Sequence, residues 1–396
     1  MSGTAVSGTA VSGTAAAGVH QFVPMLHRRD AVGEHVLAVQ SLLAASGVPS
    51  RIYVDRPDPE TAALTRPYRA YEGDAVPGDV LVYQLATASE IVGWLLGRDE
   101  PLVVNYHGVT PPEHFTAWND PVARLQVACL AELRSLASRA TLAIADSETT
   151  ARELEAAGYR RTAVVPVLAA SRRLDDPDAA MLAELRSDGD VRTWLSVGRL
   201  APNKAHHQVI AALFAQVMGG GDPTRLVLVG APTEPHYAAA LQRYAALLGL
   251  AGSVRLLAGL TDGELAACYA VADVLVMVSD HEGFGVPLVE AMRQRVPVVA
   301  FDAGAVAESL GGAGVLVDDK RPSSLAATID GVIGDRDRSA RLVEAGTARV
   351  AVLEGQRADH AMMEALGTVT TTTPGAAALP GDGPPIRAGS VDREDG

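Results

Sequence analysis

The sequence predicts an α/β protein of two domains, each a parallel, doubly wound sheet covered by helices. Three observations lead there. Short apolar runs that read as buried strands alternate with stretches of helical period, the pattern of strand–helix–strand crossovers. The alternation is interrupted by one polar stretch, 169–190, which divides the chain. The length, 396 residues, is enough for two domains of ordinary size.

Residues 1–18 repeat SGTAV twice and end SGTAAAG. They offer no apolar face to offset ordering entropy and read as a disordered tail. The first domain, 19–168, opens on a strand at 19–25. A loop, 27–34, carries Arg28, Arg29 and Gly33. The helix 34–46 follows, with Val36, Leu37, Val39, Leu42 and Leu43 near a 3.6 period and Gly47 as its stop. Further strands fall at 51–55, 79–84, 102–107, 141–146 and 163–167. Ser147 reads as a helix cap whose capping box is incomplete, because Thr150 stands where Glu or Gln would close it. The linker 169–190 holds Arg172-Arg173, an acidic run and a short helix, 179–186.

The second domain, 191–354, starts with a strand at 191–197. Gly198-Arg199 and Lys204 follow, ahead of a helix with Val209, Ile210, Leu213 and Phe214 on one face. Strands at 225–230 and 254–257 flank a helix at 237–248, and the turn Ala258-Gly259-Leu260-Thr261 leads to a helix at 262–270. The strand 271–279 then runs into Glu282-Gly283-Phe284-Gly285, with Pro287 at the first position of a new helix, where a proline is welcome. Strands at 296–301 and 315–317 and helices at 323–334 and 336–354 complete the domain. Residues 355–367 read as a helix returning to the first domain, and 368–396, rich in Thr, Pro, Gly and Ala, as a disordered tail.

Glycines at a strand-to-helix turn put backbone N–H groups at a helix N-terminus, a place that binds anions and phosphates above all. Glu282 on the loop and Glu290 on the helix would repel a phosphate they faced. They suit neutral hydroxyls beside it, such as those of a ribose and a sugar. The plainer alternative makes Glu290 a first-turn acid complementing the helix dipole and Glu282 a solvated loop residue.

Composition narrows the classes. A net charge of −14 argues against nucleic acid as the main partner. No apolar run reaches membrane-spanning length, and no basic-then-apolar leader opens the chain, so a cytoplasmic protein is expected. A peripheral membrane contact stays open. Cys129 and Cys268 lie far apart in helical segments and read as buried small residues. Lys204 and Lys320 are the only lysines, and with so much Ala, Gly and Val this composition fits a GC-rich bacterial genome. A dinucleotide dehydrogenase is disfavoured, because no Gly-x-Gly-x-x-Gly follows a strand.

Glu282, seven residues and Glu290, wrapped around Gly283-Phe284-Gly285 and followed by Ala291-Met292, resemble the signature of the retaining glycosyltransferases of family 4. The resemblance covers most of 20–365 and is stronger in the second domain. It implies a GT-B architecture, two Rossmann-like domains facing across a cleft, and transfer of a sugar from a UDP- or GDP-sugar to an acceptor hydroxyl with retention. Gly198, Arg199 and Lys204 are similar to the family's second signature, two cations beside the pyrophosphate: Arg grips two oxygens and Lys acts as a point charge. By the same resemblance Glu282 binds sugar hydroxyls and Glu290 the ribose. The backbone groups of Gly283, Phe284 and Gly285 meet the donor, and Gly259 lies near the base. His107 and Glu308 lie beside the donor sugar, with a structural role as the alternative for His107. In the loop after the first strand the family's glycine pair is reduced to Gly33. Arg28 and Arg29 read either as a solvated pair or as partners of an anionic acceptor. The resemblance implies no cofactor and no metal. An Asp-x-Asp pair that holds Mn²⁺ or Mg²⁺ in a different glycosyltransferase architecture follows a buried strand, whereas Asp176 and Asp178 lie in the linker and read as solvated. A nucleotide-sugar-binding protein without transferase activity and a GT-B-fold epimerase are the alternatives. A phosphorylase would need a lysine bound to pyridoxal phosphate, and nothing around Lys320 suggests one.

Overall fold

A computed structural model describes residues 16–370 except 29, 188 and 190, together with 387–388. Arg29 and the expected tails over 1–15, 371–386 and 389–396 lie outside the described residues.

The first sheet consists of β1 (Val19–Val23), β2 (Ile52–Val54), β3 (Thr65–Pro67), β4 (Val80–Leu85), β5 (Leu102–Tyr106), β6 (Leu142–Ala145) and β7 (Arg161–Val164). Its order is β7-β6-β5-β4-β1-β2-β3, every pair parallel, with Arg387–Ala388 antiparallel on the β7 edge. The second comprises β8 (Arg192–Val197), β9 (Thr224–Val229), β10 (Val254–Leu257), β11 (Val274–Met277), β12 (Val298–Phe301) and β13 (Val315–Val317), in the parallel order β10-β9-β8-β11-β12-β13.

Both faces of each sheet are covered, which is why the strands read as continuous apolar runs. Side chains alternate between the faces with period two. In β4, Leu81, Tyr83 and Leu85 enter one core layer and Val80 and Val82 the other. In β11, Leu275 and Met277 face one layer and Val274 and Val276 the opposite one.

Several boundaries differ from the sequence expectation. The first helix is Ala31–Ala45, not 34–46, because Asp30 caps it and accepts from the Gly33 N–H at 2.6 Å. Gly33 therefore sits in a helical turn and not in a loop. β3 was not expected; it is a short edge strand ending in proline, with no apolar residue to betray it. β7 begins two residues before the expected 163, and the chain then leaves the sheet for a 3₁₀ turn, Leu168–Ser171. The capping box at Ser147 is complete: the Thr150 hydroxyl accepts from the Ser147 N–H at 3.0 Å while Ser147 Oγ accepts from Thr150 N–H at 3.1 Å. A threonine thus does the work expected of Glu or Gln. At the first domain's start, Ala17 is buried and the Gly18 N–H donates to Asp79 at 2.7 Å, so ordered chain precedes residue 19.

After the helices Pro322–Ile333 and Arg336–Gly355, a last helix, Ala358–Thr370, lies on the first domain. Its Met362, Met363, Leu366 and Val369 join Val19, Val103 and Ile144 in one core cluster. Val369 and Thr370 are buried, so ordered chain runs past the expected end at 367. The carboxyl ends of the two sheets face each other. The sheet order reverses between β1 and β4 and between β8 and β11, the places where ligands bind in such sheets.

Candidate active site

β8 and β11 lie side by side, so the loops after them share one end of the second sheet. Gly198 follows β8 with φ +151°, and a side chain there would meet the Lys204 stem at 3.6 Å. Lys204, in the short 3₁₀ turn Pro202–Lys204, reaches over to the loop after β11, where its Nζ lies 2.5 Å from Glu282 Oε1. Lys204 is 15% and Glu282 8% exposed. Burial alone would push the Glu282 carboxyl up. The Lys204 ammonium, with smaller contributions from Ser279 and then His281, outweighs it and holds the carboxyl below the usual glutamate range. Arg199 is exposed at the same loop, and its carbonyl faces the buried ring of His206, whose pKa burial lowers to about 4.

Gly285, with φ +90°, turns the chain into the helix Val286–Arg293, which starts one residue before Pro287, so the proline takes the second position and not the expected first. Phe284 is buried in the core beneath, and its carbonyl accepts from Ser309 Oγ. Gly304, φ +59°, lies against the Glu282 backbone, where an added Cβ would stand 2.3 Å from the Glu282 carbonyl oxygen. Glu290 projects from the helix and accepts from the hydroxyl of the buried Tyr269 at 2.9 Å. Gly259, φ +71°, forms the turn after β10, ahead of the helix Asp262–Val271 capped by Thr261 and Glu264.

The first domain meets this assembly directly. Loop Gly108, after β5, faces Gly283: a Cβ on Gly283 would lie 2.6 Å from the His107 carbonyl oxygen, and one on Gly108 3.2 Å from Gly283 Cα. The absence of two side chains lets two backbones touch across the cleft. The His107 ring is held from both sides, its Nδ1 2.9 Å from Asp146 Oδ2 and its Nε2 2.8 Å from Gln84 Oε1. Behind it, Gln21, Gln84 and Asn105 on β1, β4 and β5 form a buried row that Asn105 joins to His35 at 2.7 Å. His35 accepts from the Leu168 N–H, and burial followed by the neighbouring His107 lowers its pKa well below the ordinary value.

Glu308 reaches across to the first domain. Its two carboxylate oxygens accept from the Glu148 and Thr149 N–H groups of the first domain, at 2.8 and 3.2 Å, at the start of the helix Glu148–Ala156. On another rim, Trp118 packs edge-on against Tyr237 at 4.9 Å, and Asn119 donates to Glu234. Gly33 is remote from the glycine loop in role: its N–H is taken by Asp30, and a Cβ would collide with the His27 carbonyl. Arg28 is exposed. Asp178 caps its helix through Met181 N–H. Among the described residues no cluster of His, Cys, Asp or Glu could hold a metal ion, and no helix is long and apolar enough to cross a membrane.

Sequence reasoning missed several neighbours of the site. Tyr269 gave no signal beyond an aromatic in an apolar helix. Asp146 and Gln84 were visible only as polar ends of apolar strands. After β4, Ser89 N–H donates to both Glu132 oxygens at 3.2 Å and Ser89 Oγ to Asp55 at 3.0 Å. Burial, with Asp55 adding to it, pushes the Glu132 pKa up to about 7 against the Ser89 hydrogen bonds.

The family described as glycosyl transferases group 1 matches residues 179–349. A D-inositol 3-phosphate glycosyltransferase of Thermobispora bispora is 32% identical over 305 residues, covering 72% of this chain and 70% of that protein. A GDP-mannose-dependent alpha-(1-6)-phosphatidylinositol monomannoside mannosyltransferase of Mycobacterium tuberculosis is 31% identical over 182 residues, 43% of this chain and 46% of the relative. Among solved structures, the sucrose-phosphate synthase of Thermosynechococcus elongatus superposes with a TM-score of 0.71 at 20% identity, over 90% of this chain and 100% of that one. The Anabaena protein HepE in complex with UDP-glucose gives 0.64 at 19% identity, over 90% and 98%. The facing Rossmann-like domains are the GT-B fold of these structures.

Proposed function

The chain belongs to the group 1 glycosyl transferases, and from that premise we propose that it is a family 4 enzyme moving a sugar from a UDP- or GDP-sugar to an acceptor hydroxyl with retention of anomeric configuration. The observation that carries this reading is the contact between Lys204 and Glu282, 2.5 Å apart at the meeting point of the β8 and β11 loops, next to Gly283, which lies against the first domain's His107 carbonyl. A diphosphate arriving there meets the Lys204 ammonium and the Arg199 guanidinium. Each stabilises the leaving group by roughly 3 kcal/mol, in line with other preorganised donors. The backbone N–H groups of Gly283, Phe284 and Gly285 add the partial positive charge of a helix start. Released from Lys204, Glu282 accepts from sugar hydroxyls, and Glu290 accepts from the ribose. Gly198 leaves room for the pyrophosphate, and Gly259 offers backbone to the base.

His107, fixed by Asp146 and Gln84, lines the sugar from the first domain. Glu308, docked on the first domain's helix, keeps the cleft shut over the sugar and excludes water. Gly33 lets the first helix approach His27. No carboxylate stands out as a nucleophile, so retention follows from front-face attack, the departing diphosphate taking the acceptor proton. No metal is needed, because Arg199, Lys204 and the helix start supply the charge.

The test uses UDP, GDP, ADP and dTDP, each alone. One of them, at ~100 times its dissociation constant, is expected to stabilise the fold by roughly 2.7 kcal/mol, and Glu290→Ala to abolish the effect. With the matching α-linked nucleotide sugar and water as a slow acceptor, the first sugar seen by NMR is the α anomer. Stabilisation by none of the four nucleotides sinks the donor site, and a first-formed β anomer sinks retention.

A further inference from the structure

We propose that Tyr269 is a positioning residue for donor binding: its hydroxyl fixes one oxygen of the Glu290 carboxylate so that the other is presented to the ribose. This rests on the donor reading above. Tyr269 comes from the helix Asp262–Val271, is 1% exposed and sits in the core with Leu275, Met277 and Leu288. Nothing about packing requires a hydroxyl there. Its oxygen nevertheless lies 2.9 Å from Glu290 Oε2. A free carboxylate at a cleft wall rotates; one held by a phenol in a rigid helix does not. With one oxygen committed, the second points along a fixed direction, the preorganisation that a vicinal pair of hydroxyls needs.

The same contact governs the charge of Glu290. Burial raises its pKa, while the Tyr269 hydrogen bond, Arg172 of the linker and Arg293 on the same helix oppose the rise and Asp262 adds to it. Arg172 is itself engaged with Glu34 and Asp262, and Arg293 with the Ala170 and Arg172 carbonyls at 2.9 and 3.1 Å. Among the described residues that hold Glu290 ionised, Tyr269 is the one that donates a hydrogen bond to its carboxylate. Removing the hydroxyl lifts the carboxyl further, so the ionised, ribose-accepting form disappears at a higher pH.

The experiment measures calorimetric affinity of the full chain for the nucleotide that stabilises it, from about pH 5 to pH 8, with every variant divided by wild type at the same pH. That ratio cancels the titration of the nucleotide itself. Tyr269→Phe is expected to weaken binding about tenfold at neutral pH, and the deficit to widen as the pH falls. On a Glu290→Gln background the same Phe substitution shows no such widening. A deficit constant across the range, or none, overturns the proposal, since lost packing does not titrate. Glu290→Asp gives a second route should the Phe variant fold poorly: it keeps the charge and the aromatic core but draws the carboxylate back from Tyr269 by one methylene. It is expected to bind the nucleotide several-fold more weakly at neutral pH, and wild-type affinity overturns the proposal. Failure of the donor reading looks different. Unchanged affinity in Glu290→Ala removes Glu290 from the site, and the Tyr269 role with it, whereas weakened Glu290→Ala with unaffected Tyr269→Phe removes the Tyr269 role alone.

Discussion

At the scale of single residues, the Lys204–Glu282 pair dictates how this site responds to mutation and pH. Both side chains are largely withdrawn from water, so each is the other's main compensation. Lys204→Ala leaves a carboxylate buried without its partner, and a loss of about 3 kcal/mol in urea unfolding at pH 7 is expected. In the wild type the Glu282 pKa is depressed on folding. The stability it brings is present above the unfolded value of about 4.3 and is lost as the pH falls through the folded value. In the variant the sign reverses: burial now raises the carboxyl, so the penalty shrinks as acid supplies the proton. Unfolding at pH 7 and pH 5 separates the two cases, and an equal penalty at both values contradicts the pairing. The turn of Gly283-Phe284-Gly285 and the position of Glu290 on the following helix were readable in the sequence, because glycines and a proline mark a strand-to-helix turn. The Tyr269 contact was not, because its partner is 21 residues away on another helix and a phenol among apolar residues reads as core.

At the scale of elements, apolar runs and caps did most of the specification. β10, β13 and the helix Ala179–Arg186 fall on their expected bounds, each a short apolar or periodic run between strong breakers. β3 escaped because an exposed edge strand needs no apolar residue. The end of the helix Val286–Arg293 shows a third case. A glycine usually provides the left-handed turn there, and Arg295 takes it instead, at φ 60°, while the Val296 N–H closes on the Ala291 carbonyl at 2.9 Å. A left-handed non-glycine residue costs about 1 kcal/mol. Arg295→Gly is therefore expected to stabilise the protein by somewhat less than that, the flexible unfolded chain offsetting part of the relief. Arg295 is exposed, so nucleotide affinity should not change. A lower melting temperature contradicts this account of the helix end.

At the scale of the whole molecule, the contacts between domains depend on how two finished surfaces meet, and no local pattern in the sequence announces them. Glu308 on the Glu148 and Thr149 amides and Gly283 against the His107 carbonyl are of this kind. Gly283→Ala places a methyl 2.6 Å from that carbonyl, so one domain must retreat. The expected outcome is a larger radius of gyration in small-angle scattering with nucleotide bound. Turnover falls by about a hundredfold, as misplacement of reacting groups by ~1 Å can do, while nucleotide affinity is retained. An unchanged radius with unchanged turnover removes this contact from closure. The last helix, Ala358–Thr370, carries a different consequence. It supplies Met362, Leu366 and Val369 to a core whose other members, such as Val19 and Val39, are among the first residues described. On the ribosome, therefore, the first half of the chain emerges early but lacks part of its own interior until Ala358–Thr370 has been made. The core layers of the second half hold no residue of that helix, so its interior does not wait for it.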